Sequence, residues 1–597
     1  MAINNPYIPG DPYSYDLKWI IAQIKQHTLE LSTIDERIAA AVQEQLDQHD
    51  PVYYESAAAL IASDARTPSL AYIEGFYEPG DLGANLYYVT SDYNDVLAAD
   101  FYLTLTGANR WAIPIITAPV VVPEMFGAKG DGSTDDTAAV QAAIKYPASF
   151  FTRSYKITSE LECISNTVIG GPGTIIDEVP EGSILYEYPA LFHLDTIENV
   201  EVYGLTIYGP GSLTDSTIVN HVVFKTEGSK NVEFHHMRLY DTAAAYCFRN
   251  VTVNGLDIHH VLIDKYTFGG IALFMGCQNI NICDNEMYQL TGAHNYNYAI
   301  TLSAHEGVMV TSNHVVCSRN TIVCTKPVWE AIDAHGGENI IVTDNHITNA
   351  RNGIALMDNL DDPDNPWTLN DVVVSGNIIE LGTDTSFGAV KNNSCIVVNG
   401  NNAIIQNNVL KNAGYINKDV YYSGCIFVAG NNISVSNNIM NNVHGQVIQH
   451  KWGDNVQIKD NMLMHWTWSA PSTGLTIPIF YWQSETADRP HDGDTYVENN
   501  IINDIPTGAR LARAFASLGA NGGILYVLNN RIPEAGNLLS QPANIVCSPY
   551  SNKPTYVGKV GDIIRQSAPS SGQSLGWICT TSFVNGAGGT WVTLPNL

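Results

Sequence analysis

The sequence predicts an all-β chain dominated by a β-solenoid, and three observations carry that prediction. An asparagine-centred phrase recurs about every 30 residues through the middle and end of the chain. A second, aliphatic phrase accompanies it in each repeat. Gly/Asn turns separate short strand-like runs, which makes the stacked unit a coil of strands rather than a pair of helices.

The first phrase runs from β-prone residues through a polar pair ending in Asn to an aliphatic two places on. Clear copies centre on Asn345, Asn377, Asn408 and Asn438, and weaker ones on Asn254, Asn285, Asn313, Asn461, Asn500 and Asn530. Stacked at a rung spacing of about 4.8 Å, each asparagine can hydrogen-bond to its copy one rung away.

The second phrase aligns as Ile271-Ala-Leu-Phe, Ile300-Thr-Leu-Ser, Ile332-Asp-Ala-His, Ile354-Ala-Leu-Met, Ile396-Val-Val-Asn, Ile426-Phe-Val-Ala and Ile448-Gln-His-Lys. Strand side chains alternate, so the first and third positions are expected in the core and the second and fourth in solvent. Down those outward columns, a single rung sets an acid beside a base. It is Trp329-Glu-Ala-Ile-Asp-Ala-His-Gly-Gly337.

Other elements flank the solenoid. Residues 1–49 read as a helix: Leu17, Ile24, Leu31 and Ile38 share one heptad position, and Ile20, His27, Ile34 and Ala41 another. That pattern suits a coiled coil, three strands included, or one amphipathic helix packed on its own domain. Residues 50–119 form a small β-rich head domain in which Gly75 to Val89 reads as strand, turn, strand. Residues 120–545 are the solenoid. It opens at 126–144, where Gly127, Gly130 and Gly132 allow tight turns. Ser133 or Thr134 can cap a helix with Asp135 and Asp136 in its first turn, and Val140, Ala143 and Ile144 give that helix an apolar face. Residues 546–597 read as a small β module of turn-linked strands.

Composition narrows the partners. Lys and Arg total 29 against 60 Asp and Glu, a formal charge of −31. A phosphate backbone would be repelled, so nucleic acid is set aside, and an anionic membrane surface is disfavoured on the same ground. No secretory leader is read at the start, and no run reaches the roughly 18 apolar residues of a membrane span. The 10 cysteines show no C-x-x-C pair and no Cys/His cluster at zinc spacing. Cys283, Cys317, Cys395 and Cys425 are expected to be reduced and buried. No calcium-ligand pattern stands out, and neither cofactor nor metal is expected.

The segment Phe126-Gly-Ala-Lys-Gly-Asp-Gly-Ser-Thr-Asp-Asp-Thr-Ala-Ala-Val-Gln-Ala-Ala-Ile144 resembles the entry motif of the pectate-lyase-like superfamily. That resemblance implies a right-handed parallel β-helix whose cap and first turn, not its active site, lie here. Gly75 to Val89 looks like a glycine-rich hairpin of phage tail-protein heads, and "Val-Gly-Asp-Ile-Ile … Gly-Trp-Ile-Cys-Thr … Gly-Thr-Trp" like the modules that follow such helices. Head, solenoid and tail in this order resemble a bacteriophage tailspike or pre-neck appendage. The resemblance implies a homotrimer on the virion, attached to the tail or neck through its N-terminal region. It further implies synthesis in the host cytoplasm without a signal peptide, and a bacterial surface polysaccharide as the partner.

The chemistry is sought on the acid–base rung. Asp333 and His335 are expected about 6–7 Å apart on one face, with Glu330 at the preceding corner. Trp329 offers a sugar platform. One rung earlier lie Thr301, Ser303, His305 and Glu306; one rung later, Asp358, Asp361 and Asp362. Carboxyls about 5–5.5 Å apart suit retaining glycoside hydrolysis and about 6.5–9.5 Å inversion. The catalytic candidates are Glu330, Asp333, His335, Asp358 and Glu306; Trp329, His305, Thr301, Ser303 and Asp361 are the binding candidates. A non-catalytic receptor-binding appendage and a polysaccharide lyase, drawing on Lys265, Tyr266, Arg319, Lys326 or Arg351, are the alternatives.

Overall fold

A computed structural model describes residues 51–503 apart from 95–98, 100, 108, 117, 183–187, 210–218, 243, 267, 290–297, 304–309, 325–329, 359–367, 383–393, 415–423, 468–479 and 484–493. Beyond these it describes 515–518, 524–528, 530, 544–550, 563–566, 576–581 and 590–595. The heptad segment falls outside the described residues. The described residues form two compact units, the first running to Tyr266 and the second from Phe268, with Asn250–Thr252 grouped in the second.

The first unit begins with a five-stranded sheet of Val52–Tyr54, Ser69–Ile73, Asn85–Thr90, Leu103–Thr104 and Trp111–Ile115. The hairpin differs from the expectation: Ser69–Ile73, not the stretch after Gly75, pairs antiparallel with Asn85–Thr90. The intervening turn is gathered by the Asp81 carboxylate, which accepts the N–H groups of Phe76 (3.0 Å), Tyr77 (2.7 Å) and Gly83 (2.8 Å). Those bonds outcompete a strand ladder.

The entry motif forms a strand, Asp131–Asp135, and a helix, Thr137–Ala143. Ser133 and Thr134 do not cap the helix. Their hydroxyls donate to Asp131 at 2.9 and 2.8 Å. Asp136 occupies the N-cap position, and its carboxylate accepts instead from the Lys129 and Gly130 amides at 2.7 and 3.0 Å. The glycine turn folds back onto that carboxylate, which explains why the motif carries both. Val140, Ala143 and Ile144 are fully buried, as the apolar face requires.

From there the first unit coils through three parallel sheets, and the second unit repeats the same rung: the ladders of the coil are parallel, with a register shift where His346–Ala350 meets Ile378–Leu381. This is the parallel β-helix that the sequence predicts. Inside the first unit Phe192, Phe224 and Phe248 stack at 5.2 and 5.0 Å. Inside the second, Ile300, Ile332, Ile354, Ile396, Ile426 and Ile448 form a column of no exposure, in the register the aliphatic phrase predicts.

The asparagine phrase marks one corner of the coil. Asp284, Arg319, Asp344, Gly376, Asn407, Asn437, Asp460 and Asn499 each adopt a left-handed conformation there. Gly, Asn and Asp tolerate that conformation best, which is why the corner reads as polar residues. At Gly376 (φ +70°) a Cβ would lie 2.1 Å from Asp344 Oδ1. The next residue is the ladder asparagine. Its amide and side-chain N–H groups both donate to the next rung's Oδ1, for example Asn345 to Asn377 at 3.0 Å and Asn377 to Asn408 at 2.9 and 3.0 Å. The column runs Asn285, Asn320, Asn345, Asn377, Asn408, Asn438, Asn461, Asn500, Asn530. Two expected members are corrected. Asn313 begins a strand opposite Glu338, and Asn254 one opposite Lys230, so neither stands at the corner. Asn320 holds the place expected of Asn313.

Strands Ile563–Gln566, Gly576–Thr581 and Thr590–Thr593 pair antiparallel near the end of the chain. Eight described cysteines, including Cys283, Cys317, Cys395 and Cys425, are buried thiols outside any disulfide.

Candidate functional site

The strand Glu330–His335 lies between Tyr298–Ser303 and Asn352–Met357 in the second unit, pairing Thr301 with Asp333 and Asp333 with Ala355. Its outward column departs from the expectation of solvent exposure. Ala272, Thr301, Asp333, Ala355, Phe427 and Gln449 are all buried, while Phe274, Ser303, His335 and Met357 are half-buried. Apart from the half-buried Val397 the second position is a covered layer, and at the acid–base rung solvent reaches the fourth position, although Ala429 closes that column further on.

Within that layer Asp333 Oδ2 accepts the Thr301 hydroxyl at 3.0 Å. His335 Nε2 stands 3.5 Å from Asp333 Oδ1, with the imidazole 31% exposed and the carboxylate 1%. Glu330 is 2% exposed and hydrogen-bonds to Asp333 and Asn352. Burial first, then the Asp333 charge, pushes Glu330 well above the usual carboxylate range, against the pull of Arg351. Burial raises Asp333 as well, opposed by His335, Thr301 and Glu330. Two carboxyls this close share a proton, and the environments divide it. Asp333 has the Thr301 hydroxyl at 3.0 Å and the His335 imidazole at 3.5 Å on its side of the pair, and Glu330 is the carboxyl that burial and its neighbour's charge raise well above the usual range.

The other sequence candidates distribute differently. Asp358 turns to the following rung, where its Oδ1 accepts Asn399 Nδ2 at 2.5 Å and its N–H bonds Asn399 O at 2.8 Å. Ser303 registers with Phe274. Trp329, His305, Glu306 and Asp361 lie outside the described residues.

Sequence reasoning missed a groove of about 770 Å³ in the first unit, lined among others by Glu160, Tyr188, Lys225, Glu227 and Arg249. Arg249 lies with its guanidinium carbon 5.6 Å from the Tyr188 ring centre and its Nη1 2.9 Å from Glu227 Oε1. Lys225 Nζ is 3.2 Å from the other Glu227 oxygen. His193, 3.6 Å away, together with Lys225 and Arg249, holds Glu227 down to about 2 against its burial. An aromatic face beside fixed charges suits a sugar ring with polar or anionic substituents. The signal lies in the sequence: His193 and Lys225 are register partners on an outward column, in rungs that precede the regular aliphatic phrase starting at Ile271.

No family model matches the chain. The chain is similar to the pre-neck appendage protein of Bacillus phage B103, at 30% identity over 152 residues, covering 22% of this chain and 16% of that protein. The match thus spans about a sixth of that relative's length. Among solved structures, PfbA, a surface adhesin of Streptococcus pneumoniae, matches at 13% identity and a TM-score of 0.41, over 80% of this chain and 98% of that one. The tailspike of E. coli bacteriophage HK620, in complex with a hexasaccharide, matches at 11% identity and 0.47, over 68% and 74%. The catalytic unit of an α-1,3-glucanase from Streptomyces thermodiastaticus matches at 13% identity and 0.43, over 73% and 75%.

Proposed function

We propose that the protein is a tailspike-type virion appendage that binds a bacterial surface polysaccharide and cleaves it by glycoside hydrolysis at the Glu330–Asp333 rung. The observation that carries this reading is a buried carboxyl, Glu330, hydrogen-bonded to a second, Asp333, which the Thr301 hydroxyl and the His335 imidazole flank, with burial raising Glu330 well above the usual carboxylate range. A carboxyl with its pKa raised in this way is suited to act as the acid of glycoside cleavage. Glu330 gives its proton to the leaving glycosidic oxygen. Asp333, hydrogen-bonded to Glu330, stands too close to it to be the opposing base of a retaining or an inverting pair, so it positions that acid; the glycosidic bond breaks as a water oxygen bonds to the anomeric carbon and releases its proton to solvent. His335, at the solvent edge, orients Asp333 and meets the glycan. The Tyr188, Lys225 and Arg249 groove is a further glycan-binding surface. The similarity to a phage pre-neck appendage protein supports placement on the virion, and the heptads of residues 1–49 are compatible with a trimer.

The second reading is a receptor-binding appendage that holds the glycan without cutting it. Exposures of 2% for Glu330 and 0% for Asp333 favour it. The test is incubation of the full chain with a panel of bacterial surface glycans, following binding, reducing ends and unsaturated products together. New reducing ends without unsaturation support hydrolysis, and unsaturated products select a lyase. Binding with no cleavage of any bound glycan selects the second reading.

A further inference from the structure

The first unit carries a histidine–carboxylate array that the glycan chemistry does not use. Three consecutive rungs of one outer sheet face place Glu201, Glu233 and Asp257 in one column and Tyr203, His235 and His259 in the next but one. The rings stack down their column, Tyr203 on His235 at 5.4 Å and His235 on His259 at 5.0 Å. At the corner beyond, His236 and His260 stack at 4.8 Å with planes 1° apart.

We propose that Glu233, Asp257 and His259 form a binding site for one divalent transition cation of the zinc type, joining two successive rungs. One ligand atom from each lies within 4.8 Å of the others. His259 Nε2 and Glu233 Oε1 are already 3.0 Å apart. Ligands about 2.0–2.2 Å from a tetrahedral zinc-sized ion stand about 3.3–3.6 Å apart, so these two atoms need open by only about 0.5 Å to admit one. The ion takes the place of the proton between them. Imidazole with carboxylates suits this class of metal better than calcium, which takes oxygen ligands alone.

A second feature points the same way. The other ring nitrogen of His259, Nδ1, is 2.8 Å from His260 Nδ1. A metal-binding imidazole is characteristically held from behind through its second nitrogen, which fixes tautomer and ring plane. The arrangement is duplicated one rung earlier: His235 Nδ1 is 2.7 Å from His236 Nδ1, and its Nε2 faces Glu201 at 2.9 Å and Glu233 at 4.0 Å. Glu233 is 37% exposed and His259 18%, so an ion enters from solvent. Glu233 comes from one rung and Asp257 with His259 from the next, so the ion is also a clip across the coil.

The test uses the full chain, stripped with chelator and titrated with zinc by calorimetry, with metal content measured after gel filtration. The expected result is about one ion per chain and a melting temperature that rises with zinc concentration. Glu233→Gln, Asp257→Asn and His259→Gln each weaken binding by about tenfold or more, and so does His260→Gln, which touches no metal. His346→Gln, exposed on another strand of the second unit, leaves binding unchanged. Folding of each variant is checked by circular dichroism without metal. Absence of stoichiometric zinc binding, or binding indifferent to the three ligand substitutions, overturns the site. Unaltered affinity in His260→Gln overturns the backing role of that ring.

Discussion

Replacing Asn377 by alanine probes the corner ladder at its middle. In the native protein the Asn377 side-chain amide donates to Asn408 Oδ1 at 3.0 Å and to Val342 O at 2.9 Å. Its Oδ1 accepts two N–H groups of Asn345, each at 3.0 Å. Alanine removes the acceptor and strands both Asn345 donors in a site where Asn345 is 1% and Asn377 0% exposed. At about 1–3 kcal/mol per buried unsatisfied group, two orphaned donors cost about 2–6 kcal/mol. Asn402 provides the contrast. It belongs to an exposed ladder, donating to Asp371 Oδ1 at 3.0 Å from a left-handed backbone with φ 55°. Water replaces its bonds, and Asn402→Ala costs about 1–2 kcal/mol, chiefly for backbone conformation. Nearest-neighbour coupling confines damage in a solenoid to adjoining rungs, so the assay is native-state hydrogen exchange at 372–379 alongside thermal melting. Equal costs for the two variants would refute the view that burial of the ladder, rather than asparagine itself, stabilises the corner.

Other perturbations follow from single contacts. His221 Nε2 and Asp177 Oδ2 lie 2.6 Å apart with neither side chain exposed. His221→Ala strands a buried carboxylate and is expected to cost about 3–5 kcal/mol, read from denaturant melts; a loss below about 1 kcal/mol would class the pair with surface ion pairs. Burial raises the Glu330 pKa above its unfolded value of about 4.5, so folding takes up a proton between the two. The resulting stability is complete below the unfolded value and is lost as pH rises through the folded one. Glu330→Gln, which keeps the neutral shape, flattens that slope in melting temperature against pH, and an unchanged slope would contradict a protonated Glu330. Burial pushes the Cys247 and Cys317 thiols up to about 12, so thiol reagents are expected to label them at the rate of unfolding. Labelling at the rate of a free thiol would contradict their burial.

How much was legible in the sequence follows from what each feature depends on. The register of Ile300, Ile332, Ile354, Ile396, Ile426 and Ile448 depends on strand alternation alone, and the aliphatic phrase carries it. The ladder depends on the residue before each asparagine, because the left-handed corner selects Gly, Asn or Asp. Asn320 escaped notice since Arg319 stands at its corner with φ 54°, braced by two bonds to Asp284 at 2.8 and 2.6 Å. The burial of Asp333 depends on what covers the outer layer, which strand period does not encode. The doublets His235-His236 and His259-His260 and the Lys225 and Arg249 rungs sit where the asparagine phrase is weakest, so their columns were not aligned. Residue types on the acid–base rung were readable; their protonation was not, because it is set by neighbours on adjoining rungs.

The most direct test of the central claim compares wild type with Glu330→Gln and Asp333→Asn on a glycan that the protein cleaves, at matched folding and binding. Loss of the acid, or of the carboxyl that positions it, should lower the turnover rate by about 10²–10⁴-fold while glycan affinity persists. Turnover within about twofold of wild type in both variants, an unchanged barrier on that scale, would remove the carboxylate pair from the chemistry.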